Sequence, residues 1–372
     1  MKIYSSLGSN PYKWDSDRGH FSVCETWRRK FTFFVAVFHT FAHLCFLLWG
    51  LVQHSQENEP SFPTAVWLWI WIIGIWLLVT FYNGWTKKWE VVALFKGVKL
   101  LTGRLEREYP AIKMKSILWK FNSVDVHFIA VIWICFTYIV AVSTMFFVVP
   151  TRSQYFYSLV ATDKSDKIDV AFIMFLGFEV YAKTSQSFMM AMESFSIFPT
   201  LPPTSFWLNT LTRVCPQISV CGKIAIFQKF QILTTYYNQA SIWLLAPVLC
   251  VFIPAGLVIS CALASIRFHS FLPFFEYLPL PILSNNGVVI LAVTLLPSAA
   301  IYEASNKLCT KLRAEGKPEK VLRRRLVALH PFGVRIGSIS KIRKIAILLS
   351  YNFVANYIFT LLITFPAEKV TR

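Results

Sequence analysis

VAFIMFLGFEVYAKTSQSFMMAMESFSIF, residues 170–198, decides the topology of this chain. Its length and apolar character suit a membrane-crossing helix, yet Glu179, Lys183 and Glu193 interrupt it. Glu179 precedes Lys183 by four residues, the favourable order for an intrahelical pair. Pairing lowers the cost of placing both charges in hydrocarbon, and such pairs face a bundle interior or a watery cavity. Both a structural bridge and a ligand-facing role therefore stay open for Glu179 and Lys183. The flanking charge favours a crossing. Without one, segment 302–343, with eleven Lys and Arg, would lie on the opposite side from the other basic loops.

Working outward, the sequence predicts seven spans, at 31–52, 64–82, 128–149, 170–198, 240–266, 279–301 and 344–365. Several reach 19 to 22 residues without a formal charge, enough to cross a hydrocarbon core of roughly 30 Å as helix. The first, third, fifth and seventh intervening segments hold 6, 9, 3 and 11 Lys/Arg; the second, fourth, sixth and eighth hold 0, 3, 1 and 2. Cytoplasmic loops retain Lys and Arg, so the amino terminus is expected inside and the carboxyl terminus outside. This is an all-α, polytopic membrane class: one seven-helix domain over residues 1–372. Segment 302–343 reads as a cytoplasmic basic helical hairpin broken near Gly316-Lys317-Pro318.

The chain has 372 residues, 55% hydrophobic and 16% aromatic, with net charge +18. The excess charge sits in the segments assigned inside, where topology accounts for it and the inner leaflet is anionic. A nucleic-acid role is not expected. Cys45, Cys135, Cys250 and Cys261 lie in spans, while Cys24, Cys215, Cys221 and Cys309 lie in segments assigned inside. No extracellular disulfide is expected.

Residues 83–127 combine cations with Val91, Val92, Leu94, Val98, Leu101 and Leu105 at helical spacing. They read as helices extended into the cytoplasm or as an amphipathic helix on the membrane. Pro247 and Pro254 predict a kink in the fifth span. Arg323-Arg324-Arg325 reads as a positive-inside flank, with acidic lipid head groups as the other reading.

Chemistry-bearing constellations are few. His39 and His43 lie four apart on one face of the first span, but a di-metal centre needs several such boxes, so helix packing explains them better. No Gly-rich phosphate loop, nucleophile elbow or paired intramembrane carboxylates occur. No enzyme, cofactor or metal is expected. The last span carries the clearest pattern: Asn352, Asn356, Thr360 and Thr364 recur at four-residue steps. At roughly 100° per residue each step drifts about 40°, giving a slanting polar stripe. Such a stripe lines an aqueous path when several subunits surround an axis, or serves as interhelical hydrogen-bonding glue.

Near the carboxyl end, Asn356-Tyr357, the apolar run Ile358 to Ile363 and Thr364-Phe365 follow the Gly-containing run Phe332-Gly333-Val334-Arg335-Ile336-Gly337-Ser338. With the inverted seven-helix layout, this resembles the arthropod gustatory and odorant receptors. Their final helix carries Thr-Tyr, five hydrophobic residues and Gln-Phe; here Asn and Thr replace Thr and Gln, and the spacer is six. The resemblance implies a ligand-gated cation channel of the plasma membrane, a homo- or hetero-tetramer with a small organic ligand. It also implies that Asn352, Asn356, Tyr357, Thr360 and Thr364 face the pore, that cytoplasmic segments join the subunits and that the ligand sits in the outer half of each bundle. The other readings are a solute transporter or lipid-handling protein and, less favoured by orientation, a G-protein-coupled receptor.

The charge alternation makes one prediction directly. An epitope placed after Arg372 should stain in intact cells. Staining only after permeabilisation, with surface delivery shown separately, would remove a crossing or reverse the molecule.

Overall fold

The computed structural model describes residues 10–15, 19–57, 61–75, 78–112, 122–160, 169–213, 218–241, 251–315, 320–337 and 340–366. Cys215, Pro247, Cys250 and Gly316-Lys317-Pro318 lie outside them. The chain opens with an antiparallel hairpin, β1 (Tyr12–Asp15) and β2 (His20–Val23), paired Tyr12 to Val23 and Asp15 to His20. Gly19 turns it with φ +57°, a conformation that glycine adopts without Cβ strain.

Helices follow: α1 (Trp27–Ser55), α2 (Phe62–Ile75), α3 (Leu78–Thr86), α4 (Lys88–Glu108), α5 (Ser123–Val148) and α6 (Val170–Ile197). After these come α7 (Leu201–Thr212), α8 (Val220–Ser241), α9 (Ile253–Phe268), α10 (Pro279–Glu315) and α11 (Lys320–Ala328). A two-residue hairpin, β3 (Arg335–Ile336) and β4 (Ser340–Lys341), precedes the last helix, α12 (Lys344–Thr364).

The described residues of the seven apolar segments are almost all helical. Among the described residues, five helical stretches are long and apolar enough to cross a membrane: Trp27–Ser55, Phe62–Thr86, Ser123–Val148, Phe274–Ala314 and Lys344–Thr364. The fourth segment is α6, which spans 28 residues but carries the charges; in the fifth, α9 is a shorter apolar helix of 16 residues. α5 begins on a capping box. The Asn122 side chain accepts from the Val124 and Asp125 N–H groups, and Asp125 answers to the Asn122 N–H.

Of the two readings of residues 83–127, an extended helix or an amphipathic helix on the membrane, the structure has a helix, α4, that follows α3 after Lys87 alone, and its apolar stripe turns inward. Val91, Val92, Leu94, Val98 and Leu105 are buried in a core shared with α7, α8 and the amino-terminal hairpin. The partner for that stripe comes from far along the chain, which local periodicity cannot register. Pro254 sits in the first turn of α9, directly after two π-helical residues, Val251 and Phe252; Pro247, the other proline of the expected kink, lies outside the described residues.

The core divides into two layers. One gathers the ends of the helices with α4, α7, α8 and the strap before α12. The other, built on Trp67, Trp71, Phe146, Tyr155 and Phe268, lies among α2, α5, α9 and the loop after α5. Arg152 and Glu276 join two loops at that second end, 2.7 Å apart.

Helices approach closely where side chains are small, as membrane bundles require. A Cβ on Gly287 would stand 2.8 Å from the Pro254 carbonyl oxygen and 2.7 Å from Val258 Cγ2. Backbone cannot yield there as a flexible side chain would. Gly287→Ala should separate α9 from α10 and cost about 1–3 kcal/mol, read as a lowered Tm of the detergent-solubilised protein. An unchanged Tm would contradict the close approach.

Candidate functional site

The charged residues of α6 are all inside the bundle: Glu179 is 2% exposed, Lys183 1% and Glu193 0%. Lys183 Nζ lies 3.9 Å from Glu179 Oε2, 3.3 Å from His43 Nδ1 and 4.2 Å above the Trp71 ring. His43 Nε2 stands 3.0 Å from the Gln154 carbonyl. A carbonyl only accepts, so Nε2 carries the proton and Nδ1 is free to accept from the Lys183 ammonium. His39 takes another role, edge-on to Phe178 at 4.3 Å, with its ring 6.2 Å from that of His43. The sequence pairing of Glu179 with Lys183 is thus present, and α1, α2 and the loop after α5 complete it.

The pair is incompletely satisfied. Neither Glu179 oxygen has a hydrogen bond among the described residues, nor do Tyr155 Oη, Ser187 Oγ and Trp67 Nε1. Tyr155, in the loop, has its phenol held well above the usual range by burial first and the Glu179 charge second, so it stays a neutral donor. Beside this cluster lies a cavity of about 60 Å³ walled by Trp67, Trp71, Tyr138, Met145, Ser187 and Leu257. Its wall is aromatic and apolar, with a few polar groups at one side, the usual chemistry of a small-organic-ligand site.

Glu193, one helical run further along, anchors the amino-terminal hairpin. Tyr12 Oη donates to Glu193 Oε1 at 2.9 Å and Asn83 Nδ2 to Oε2 at 3.1 Å. Burial, then the Glu193 charge, hold the Tyr12 phenol well above its usual pKa.

Asn352, Asn356, Tyr357, Thr360 and Thr364 are exposed on α12, and Val354 is the buried residue of that helix. Taking Asn352 as zero and about 100° per residue, Asn356, Thr360 and Thr364 fall at about 40°, 80° and 120°, with Tyr357 near 140°. Val354 and Ile358, packed on the core, fall near 200° and 240°. The structure brings the five together on the side away from the bundle. The Thr360 and Thr364 hydroxyls donate back to the carbonyls of Asn356 and Thr360, at 2.8 and 2.9 Å. At the far end, the Arg267 guanidinium of α9 donates to the Leu362 carbonyl, and Phe62 meets Phe365 at 5.0 Å.

Sequence reasoning missed the His43–Lys183 bond, the Trp71 face and the Arg267 contact. In all three cases the partners lie 95 or more residues apart, and no spacing rule links them.

No protein-family model matches this sequence, and no curated protein matches it. Solved structures do. The chain is similar to the insect olfactory receptor OR5 from Machilis hrabei, with TM-score 0.60 and 13% identity, covering 97% of this chain and 96% of that one. It is similar to the same receptor in complex with eugenol, with TM-score 0.61, 13% identity, and 98% and 96% covered. The fold of the two chains is shared along nearly their whole lengths.

Removing one partner of the α6 pair strands the other charge in the bundle, at about 3–5 kcal/mol. Lys183→Met should sharply lower Tm and yield, and the double variant Glu179→Gln/Lys183→Met should recover most of the loss. If the double variant is no better than the single one, Glu179 and Lys183 are not energetically coupled.

Proposed function

We propose that this chain, which has the fold of an insect olfactory receptor, is a chemosensory receptor of the plasma membrane that opens a cation path when a small organic molecule binds. The observation that carries this reading is the exposed polar stripe of α12. Asn352 and Asn356 facing lipid would leave their amides without partners, at several kcal/mol each. Around an axis shared by four copies, the same amides and hydroxyls face water and passing ions. The amino terminus lies inside, seven crossings follow and α12 ends outside, as the charge alternation requires. Among the described residues no group of three or more His, Cys, Asp or Glu could hold a metal ion, and no enzymatic step is assigned.

The ligand enters beside Trp67 and Trp71. A cavity of about 60 Å³ is well below the ~150 Å³ that holds a benzene ring in an engineered core. Binding must therefore widen it, and a ligand that favours the widened state shifts the closed–open balance by its differential affinity. α9 links the two places. Ile253 and Leu257 line the cavity, and Arg267 at the other end of the same helix holds the Leu362 carbonyl of α12. A rigid displacement of α9 moves both.

Cysteines placed singly at 352, 356, 360 and 364 should make agonist-evoked current fall at least about twofold under a permeant thiol reagent. A cysteine at the buried Val354 should be protected. Eugenol, bound by the structural neighbour, is the first ligand to apply, followed by a panel of volatile and soluble organics. Normal currents with all four sites unreactive would sink the pore assignment. Substrate flux without agonist-gated current would favour a transporter.

A further inference from the structure

The basic end of the molecule holds a second cleft, of about 800 Å³, which the channel reading does not use. Lys87, Asn238, Gln239, His330, Arg335 and Lys341 line it, with Glu90 also on its wall. Unlike the aromatic cavity, its wall is polar and cationic. Glu90 is already engaged by Lys87 at 3.3 Å. Arg335, Lys341 and Arg343, two residues further on, have no carboxylate partner among the described residues. The Lys341 ammonium is pushed below its usual pKa by partial burial and by the charges of Arg335 and Arg343.

These cations are held in place by a built framework. The Asn238 amide donates to the Gly333 carbonyl at 3.1 Å and accepts from the Arg335 N–H at 2.9 Å. Lys341 Nζ donates to the Pro331 carbonyl. Ser305 Oγ donates to the Phe332 carbonyl at 2.6 Å and accepts from its N–H at 3.1 Å. The strap lies directly on α10, where a Cβ on Gly333 would come within 2.9 Å of Tyr302 Cβ. A solvated positive flank needs none of this. By contrast, Arg323, Arg324 and Arg325, the run that stands out in the sequence, are exposed on α11 and converge on nothing.

The position of the cleft adds the second argument. Lys87 follows α3 where the second apolar segment ends, Gln239 precedes the fifth, and Lys341 precedes the seventh. The ends of three apolar segments meet there, and under the topology proposed above such ends lie near lipid head groups. An Arg fork on a fixed backbone, a Lys and neutral amides on one wall are the donors that take several phosphates at once.

We propose that this cleft binds a polyphosphorylated anion, seated on Arg335 and Lys341. The shared chemistry has two sources: the inositol-phosphate head group of a membrane lipid, or a soluble polyphosphate such as a nucleotide. Arg343 leads into α12, so an occupant bears on the final helix; that regulatory consequence rests on the pore reading, while binding does not.

The test is binding to the purified full-length chain in detergent, with no current measured, so its failure is separate from failure of the channel. The probes are dioctanoyl phosphatidylinositol bisphosphate, inositol trisphosphate, ATP and, as a singly charged control, dioctanoyl phosphatidylserine. Saturable binding of a polyphosphate probe is expected, weakened roughly tenfold by Arg335→Gln/Lys341→Gln. Lys341 also supports the strap, so Arg335→Gln alone, whose exposed side chain the framework does not use, should weaken binding severalfold with unchanged Tm. The triple Gln variant of Arg323, Arg324 and Arg325 should bind normally. Equal binding of the soluble probes assigns a soluble source, and binding of the lipid alone assigns a head group. No binding of any polyphosphate, binding of phosphatidylserine equally well, or loss in the α11 variant with the cleft variants intact overturns the proposal.

Discussion

A charged side chain in hydrocarbon has to be surrounded by protein, and α6 carries three. Glu179, Lys183 and Glu193 put this helix in the middle of the bundle, because no peripheral place would satisfy them. α1 comes against it with His43, α2 with Trp71, α3 with Asn83 and the amino-terminal hairpin with Tyr12. The aromatic cavity is a by-product of the same arrangement. A lysine and a carboxylate spaced one turn apart cannot be packed as tightly as leucines, and the space that remains has polar groups on one wall.

The opposite case is α12. It touches the rest of the chain mainly along Val354, Ile358 and their neighbours, and leaves the remaining faces uncovered. In a water-soluble protein such a helix would be a defect. In a bilayer the apolar part is at home in lipid, while the amides require partners of their own. The same physics that centres α6 therefore sends α12 to the margin.

Much of this was legible in the residues. The described residues of the seven apolar segments fell almost all on helices, because hydrocarbon thickness constrains length and composition directly. The Glu179–Lys183 pair was legible because helical spacing is local, and the slant of Asn352 to Thr364 was legible for the same reason. What stayed hidden required a partner from elsewhere. Residues 91–105 have a stripe that suits a membrane surface as well as a protein core, and only α8 and the hairpin decide between them. The phosphate-type cleft was hidden for a further reason: its cations come from positions 87, 335 and 341, while the sequence draws attention to the contiguous run at 323–325.

The bond between Tyr12 and Glu193 also sets an order of assembly. The two residues are 181 apart in sequence. At ~5–20 residues per second of synthesis, the hairpin waits roughly 10–40 s after its own translation before its anchor exists. Until then Glu193 lacks its phenol, and the finished hairpin lacks its anchor. The amino-terminal hairpin thus docks only after α6 has been made, and closes that part of the bundle late.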